Sequence, residues 1–406
     1  MRRILRATLT RPPRLAGSQA GPATLGCPMR SALTSQPRQA AALAWAAQRW
    51  QPSTRAAFVR RPDADAHAPQ HQDLDLVIFG RVDIFRPERH VAPDGTPVDL
   101  AWYPAPLLDD PARIARSGLA AHRIAAADLA WRAADVTGDA ANDCTRQVRH
   151  LMRRPDVRAD RLAVFLDMGR LTVRETGVTG DLPCLARFWL QMGHGGIIAA
   201  LADLHDRVCP NVYTRPFGVL KSLGKHRAAP IANALGLHDD AAAVARVLRA
   251  MHSLVAQQFS TPPWPAAMRE ATRAEYAYTL DAAELEWRLA VAEDMQACGQ
   301  GAAAIWYLRY WAYALARLPM VWHAAARGDD IAFLRPERPV RAALAQQCPA
   351  LLPLLERALG GPLELPALQA PMDSLRRLRQ EVLARCNALS LPLRDIADWQ
   401  PYRAAA

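Results

Sequence analysis

Lysine is almost missing from this chain: of 406 residues only Lys221 and Lys225 carry an ε-ammonium, and arginine supplies the rest of the basic charge. Acidic side chains are missing from residues 1–62, whose eleven arginines account for the whole formal charge of +11. The remainder balances at 39 basic against 39 acidic residues, so its body has no broad positive field for nucleic acid, and a polymerase role is not expected. Long apolar runs are lacking too. The best, AAAIWYLRYWAYALARLPMVW, is interrupted by Arg309 and Arg317, and no membrane span is expected. The seven cysteines (27, 144, 184, 209, 298, 348 and 386) contain no C-x-x-C pair and are odd in number, which fits reduced thiols in a cytoplasm better than a disulfide framework. No period of 20–50 residues recurs, which excludes a solenoid.

The opening MRRILRATLTRPPRLAGSQAG is broken by Pro12 and Pro13 and has no continuous apolar segment, so it is not a secretory signal. Its composition is that of a mitochondrial transit peptide, yet the arginine bias and the wealth of alanine and proline run through the whole chain, as in a high-GC bacterial genome. Residues 1–39 are therefore read as a basic, disordered leader, with Met29 as a later candidate start.

What is present is a folded body, 51% hydrophobic and long enough for two domains. AAALAWAAQRW (40–50) has helical spacing; an apolar AAFV (56–59) follows, and DLDLVIF reads as a strand. RVDIFR (81–86) alternates, and HVAPDGTPVDLAWYP (90–104) reads as a hairpin turning at Asp94–Gly95. From about residue 111 the period becomes helical: ARIARSGLAAHRIAAADLAWRAAD fits one helix, and helical segments continue to SLRRLRQEVLARCNAL. The expected architecture is α+β, with a small mixed-sheet α/β domain over 40–110 and a large all-helical region over 111–406.

Two carboxylates stand one residue apart in QDLDLVIFG. On a strand, Asp73 and Asp75 share a face while Leu74 and Leu76 take the other. Like charges entering a buried strand need compensation, from a metal ion, an arginine or solvent. Asp99, in VDLAWY after the D-G turn, lies on a strand able to pair beside the first. Three converging carboxylates make an oxygen-rich site of the kind Mg²⁺ prefers.

In these residues the chain resembles the polymerase-beta-type nucleotidyltransferases, in their small-molecule and antibiotic-modifying branch. DLDLV matches the paired acids, VDL the third acid in a later strand, and HVAPDGTPVDL the connecting hairpin; a helical region behind the catalytic unit also fits. The matching stretch covers only about residues 60–104. The resemblance implies two Mg²⁺ ions held by Asp73, Asp75 and Asp99 on a nucleoside triphosphate, with Asp99 also acting as base towards an acceptor hydroxyl, the acceptor itself staying unidentified. The family places a Gly-Ser pair ten to thirteen residues before the acids to cradle the triphosphate. Here that window reads FVRRPDADAH, and Gly17–Ser18 is far upstream. Arg60 and Arg61 either hold phosphate in its stead or are ordinary surface arginines. The departure leaves open a catalytically silent relative that binds a nucleotide or a partner protein. A D-x-D glycosyltransferase using Mn²⁺ ranks last, because 1–70 shows no succession of βα units.

Other candidates are weaker. Asp63, Asp65, His67 and His71 match no zinc spacing and read as a solvated loop. His194 and His205 read as partly buried structural histidines. In RPFGVLKSLGKH, Lys221 and Lys225 share a face if the segment is helical, and with Arg215 and His226 they form either a substrate-facing patch for the triphosphate or a solvated basic face. The aromatic stripe WYLRYWAYALARLPMVW fits core packing or a pocket wall.

Overall fold

The computed structural model describes residues 37–393 apart from 51–52, 61–72, 83–84, 94–95, 137, 179–181, 260–263, 266–267, 269–272, 274–276, 328–339 and 362. The leader to residue 36, the loop bearing Asp63, Asp65, His67 and His71, and Arg61 lie outside the described residues. Helix α1 (Pro37–Ala47) precedes strands β1 (Ala56–Arg60), β2 (Leu74–Gly80), β3 (Arg86–Val91) and β4 (Pro97–Pro104). Then come α2 (Pro111–Arg116), α3 (Leu119–Ala125) and a fifth strand, β5 (Ala127–Arg132).

The sheet runs β3-β4-β2-β1-β5, with β2 and β4 parallel and the other pairs antiparallel. Period-two alternation gives it two apolar faces. Ala57, Val59, Leu76, Ile78, Leu100 and Trp102 meet Ala42, Leu43 and Ala46 of α1. Phe58, Val77, Phe79 and Tyr103 face Ile114 of α2, Ile124 of α3 and Val148 of α4 (Gly138–Leu151). This is the α+β class the patterning implies.

Two expectations change. The stretch expected as one helix from about residue 111 breaks where Gly118 takes φ +49°, and its end becomes β5, with Ala57 opposite Trp131 and Phe58 opposite Leu129. The open hydrogen-bonding edge of β1 outweighs the helical propensity of an alanine-rich segment, so the sheet extends past residue 110 and the region from 111 is not all helical. The hairpin also differs in register. Val91 pairs with Pro97 and Ala92 N–H donates to Thr96 O, so the Ala92–Thr96 pair encloses a loop of three residues rather than two. Asp94 and Gly95 themselves lie outside the described residues.

The helical remainder comprises α5 (Pro155–Val178), α6 (Pro183–Leu204), α7 (Pro216–Leu223), α8 (Ala228–Ala234), α9 (Ala241–Phe259), α10 (Ala282–Ala297), α11 (Gly301–Ala326), α12 (Val340–Gln347), α13 (Leu351–Ala358) and α14 (Gln369–Ala388). Helix α6 is buried on all sides, which marks a central rather than a surface helix. The aromatic stripe of α11 joins it in the core: Trp306 and Tyr307 are buried, and Tyr313 stacks on Phe188 of α6 at 4.1 Å. Among the described residues no helix is long and apolar enough to cross a membrane, and the six described cysteines are free thiols.

Candidate functional site

The registers of four strands set the site. Asp75 on β2 lies opposite Asp99 on β4, and Asp99 lies opposite Arg89 on β3. Val59 pairs with Leu76, so Arg60, next on β1, comes beside Asp75, and its guanidinium forms an ion pair with that carboxylate. The row across the sheet therefore reads Arg89, Asp99, Asp75, Arg60, with both acids central and a cation on each flank. Asp73, just before β2, adds a third carboxylate on the same face. Oxygens of Asp73, Asp75 and Asp99 all lie within 4.8 Å of one another.

Arg89 Nη1 donates to Asp99 Oδ1 at 2.9 Å and lies 3.7 Å from Asp73 Oδ2, so one nitrogen bridges two members of the triad. The one-residue lengthening of the hairpin loop puts it there. A two-residue turn would have set His90 opposite Asp99, whereas His90 instead faces Trp45 of α1 on the far side of the sheet.

A second layer comes from the helical half. Glu284 on α10 pairs with Arg89 Nε and, through its other oxygen, with Arg288 one turn on. Arg288 Nη2 lies 3.7 Å from Asp99 Oδ2, Nη1 donates to Tyr307 Oη at 3.0 Å, and Nη2 donates to Tyr278 Oη. Both guanidiniums lie over the Trp287 ring, with the Arg89 carbon 4.1 Å and the Arg288 carbon 4.6 Å from its centroid. Arg60 Nη1 reaches Asn211 Oδ1 at 3.0 Å in the loop before α7. That loop sits tight on α6, because a Cβ at Gly195 would meet Tyr213 Cδ1 at 2.9 Å, and Trp306 Nε1 donates to Tyr213 O at 2.8 Å.

Electrostatics separate the acids. Burial pushes the Asp99 carboxyl up to about 8; Arg89 opposes this, and the negative charge of Asp73 adds to it. Burial raises Asp73 too, but Arg89, Arg215, Arg288 and Arg60 outweigh it and hold that carboxyl below the ordinary range. Three hard carboxylate oxygens at this spacing fit a divalent ion such as Mg²⁺ or Mn²⁺. At an effective dielectric constant near 20, two carboxylates under 5 Å apart repel by about 3 kcal/mol, so the triad needs a cation of some kind.

The structure brings Asp73, Asp75, Asp99 and Arg60 together and puts Lys221 and Lys225 on separate helical turns. Lys221 is an exposed residue of α7, but Gly224 takes φ +137° and ends that helix, so Lys225 falls in a separate 3₁₀ turn and the expected shared helical face does not form. His194 is fully buried, as a structural histidine should be, whereas His205 at the end of α6 is exposed. Arg89, Glu284, Arg288 and Asn211 escaped the sequence reading. Arg89 lies between RVDIFR (81–86) and the hairpin stretch that starts at His90, in a short segment without apolar alternation. The other three lie over a hundred residues from the acids.

No family model matches the chain, and no curated protein is similar to it. A solved structure, a nucleotidyltransferase-like protein from Exiguobacterium sibiricum, aligns at 12% identity over 87% of this chain and 78% of its own, with a TM-score of 0.22. At that score the likeness carries no argument, and the functional reading rests on the site.

Proposed function

We propose that this protein is a divalent-metal-dependent nucleotidyltransferase, moving a nucleoside monophosphate from a nucleoside triphosphate to an acceptor hydroxyl. The observation that carries the reading is the convergence of Asp73, Asp75 and Asp99 on one face of two parallel strands. Those three would hold the metal, which when bound supplies neutralisation of triphosphate charge and eases the departure of pyrophosphate. Asp99 receives the proton of the acceptor hydroxyl as its oxygen bonds to the α-phosphorus and the α–β bridge breaks towards pyrophosphate. Asp99 stands beside Asp75 on the neighbouring parallel strand, which places its carboxylate for that task. Arg60 and Arg215, whose charges already act on the triad, face the phosphates.

The expected outcome is that Asp75→Asn or Asp99→Asn abolishes pyrophosphate release from ATP, GTP or CTP while circular dichroism shows an intact fold. Turnover at the wild-type level in both variants would sink the assignment. A second reading, a silent relative that binds nucleotide without transfer, is favoured by the missing Gly-Ser pair and by the guanidinium on every carboxylate. Calorimetry with the three nucleotides, with and without Mg²⁺, separates the two. Metal-dependent binding with no pyrophosphate released identifies the silent form.

A further inference from the structure

Arg89 is an unusual neighbour for a metal site. Its side chain is only 6% exposed, it is fixed on a strand directly opposite Asp99, and it is held from above by Glu284 and Trp287. Nη1 sits between Asp73 and Asp99, where a shared cation would be drawn. Nη2 is buried and has no hydrogen-bond partner among the described residues, while Nε meets Glu284 Oε2 as an ion pair. The guanidinium is thus placed by charge more than by a completed hydrogen-bond set. Asp75 has Arg60 and Asp99 also has Arg288, so each carboxylate of the triad already has a guanidinium partner.

A bare divalent cation entering this site would add positive charge beside three arginines, which opposes it. A cation arriving with a polyphosphate brings its own negative charge, and the guanidiniums that give up the carboxylates acquire phosphate oxygens instead, an exchange arginine is suited to by its planar fork of donors. We propose that Arg89 is an internal cation standing in for the metal between Asp73 and Asp99, and that it exchanges those carboxylates for a polyphosphate, so that metal and polyphosphate bind cooperatively. This rests on the triad being a metal site. It also assigns the phosphate grip that the absent Gly-Ser pair leaves unfilled, with Glu284 retaining Arg89 during the exchange.

The test is calorimetric titration of the full chain with Mn²⁺ alone and with preformed Mn²⁺–tripolyphosphate, in wild type and Arg89→Met. In the wild type the complex should bind at least about tenfold more tightly than Mn²⁺ alone, within the usual range of coupling between ligands. Arg89→Met should bind Mn²⁺ alone about tenfold more tightly than wild type and the complex more weakly, opposite changes that a loss of folding cannot mimic. If Arg89→Met binds Mn²⁺ no better than wild type, the exchange is overturned. Should Arg89→Met unfold without metal, recovery of its helical circular dichroism on adding Mn²⁺ supports the proposal. Without recovery, Arg89→Lys, which keeps the charge but not the fork, decides: unchanged binding of Mn²⁺ alone with weaker binding of the complex supports the exchange, and binding of the complex equal to wild type overturns it. Adding Asp75→Asn distinguishes the two levels. Mn²⁺ binding that Asp75→Asn abolishes but Arg89→Met leaves unchanged sinks only the exchange, whereas binding insensitive to Asp75→Asn sinks the metal reading with it.

Discussion

Asp75 has a like charge on one side, Asp99, and an opposite charge on the other, Arg60, and both neighbours follow from strand register rather than from sequence distance. Single side chains elsewhere carry comparable consequences. His194 is buried in α6 with Nδ1 2.7 Å from Leu190 O and Nε2 3.1 Å from Ser374 Oγ on α14, contacts a neutral ring satisfies. Burial lowers it to about 4. Unfolded histidine titrates near 6.5, so between about pH 6.5 and pH 4 the unfolded chain binds more protons and stability falls as pH falls. The contribution is complete above about pH 6.5, and its loss amounts to at most roughly 3 kcal/mol. Urea titrations across that window should therefore show a shallower acid slope for His194→Gln than for wild type, and equal slopes would refute the assignment. The burial of His194 was legible from its place in an apolar helical run. The three aspartates were legible because alternation puts them on one face, but Arg89 was not, because its face depended on whether the hairpin loop held two residues or three.

At the scale of elements, α6 and the loop that follows it show how a helix sets a site it does not itself enter. The glycine in the middle of α6 lets Tyr213 approach, and Tyr213 anchors the loop whose Asn211 meets Arg60. Gly195→Ala gains helix propensity of about 1 kcal/mol, but the new Cβ would meet the Tyr213 ring at 2.9 Å, and overpacking of that kind costs about 1–3 kcal/mol. The expected net effect is a modest loss of stability in urea denaturation and, on the proposed function, weakened nucleotide binding, because the loop must move. A variant that binds nucleotide like wild type would show that the loop's position is not set there. Strand β5 teaches the complementary lesson. Its sequence, ADLAWR, is compatible with a helix, and only the free edge of β1 makes it a strand.

Across the whole molecule, the sheet unit and the helical half are tied by buried charge. Arg161 on α5 is fully buried. It forms a two-pronged ion pair with Asp203 on α6, donates to Ala115 O of α2 at 2.7 Å, and donates to Met152 O at 2.8 Å. His122 of α3 completes the knot, its Nδ1 accepting from Cys209 N–H at 3.2 Å and its Nε2 3.6 Å from Asp203. Breaking such a pair strands a buried cation, and Asp203→Asn is expected to lose about 3–5 kcal/mol in chemical denaturation. A loss below about 1 kcal/mol would mean that solvent reaches Arg161. The candidate site is a second tie, with Glu284 and Arg288 closing over the triad from α10. By itself the sequence determined the α+β class, the strand that carries the paired acids, the third acid and the helical remainder, because hydrophobic period and residue type are local properties. Only the tertiary structure decided which cations face those acids. Glu284, Arg288 and Asn211 come from remote segments, and Arg89 turns on a one-residue register; both are settled by packing that no local pattern records.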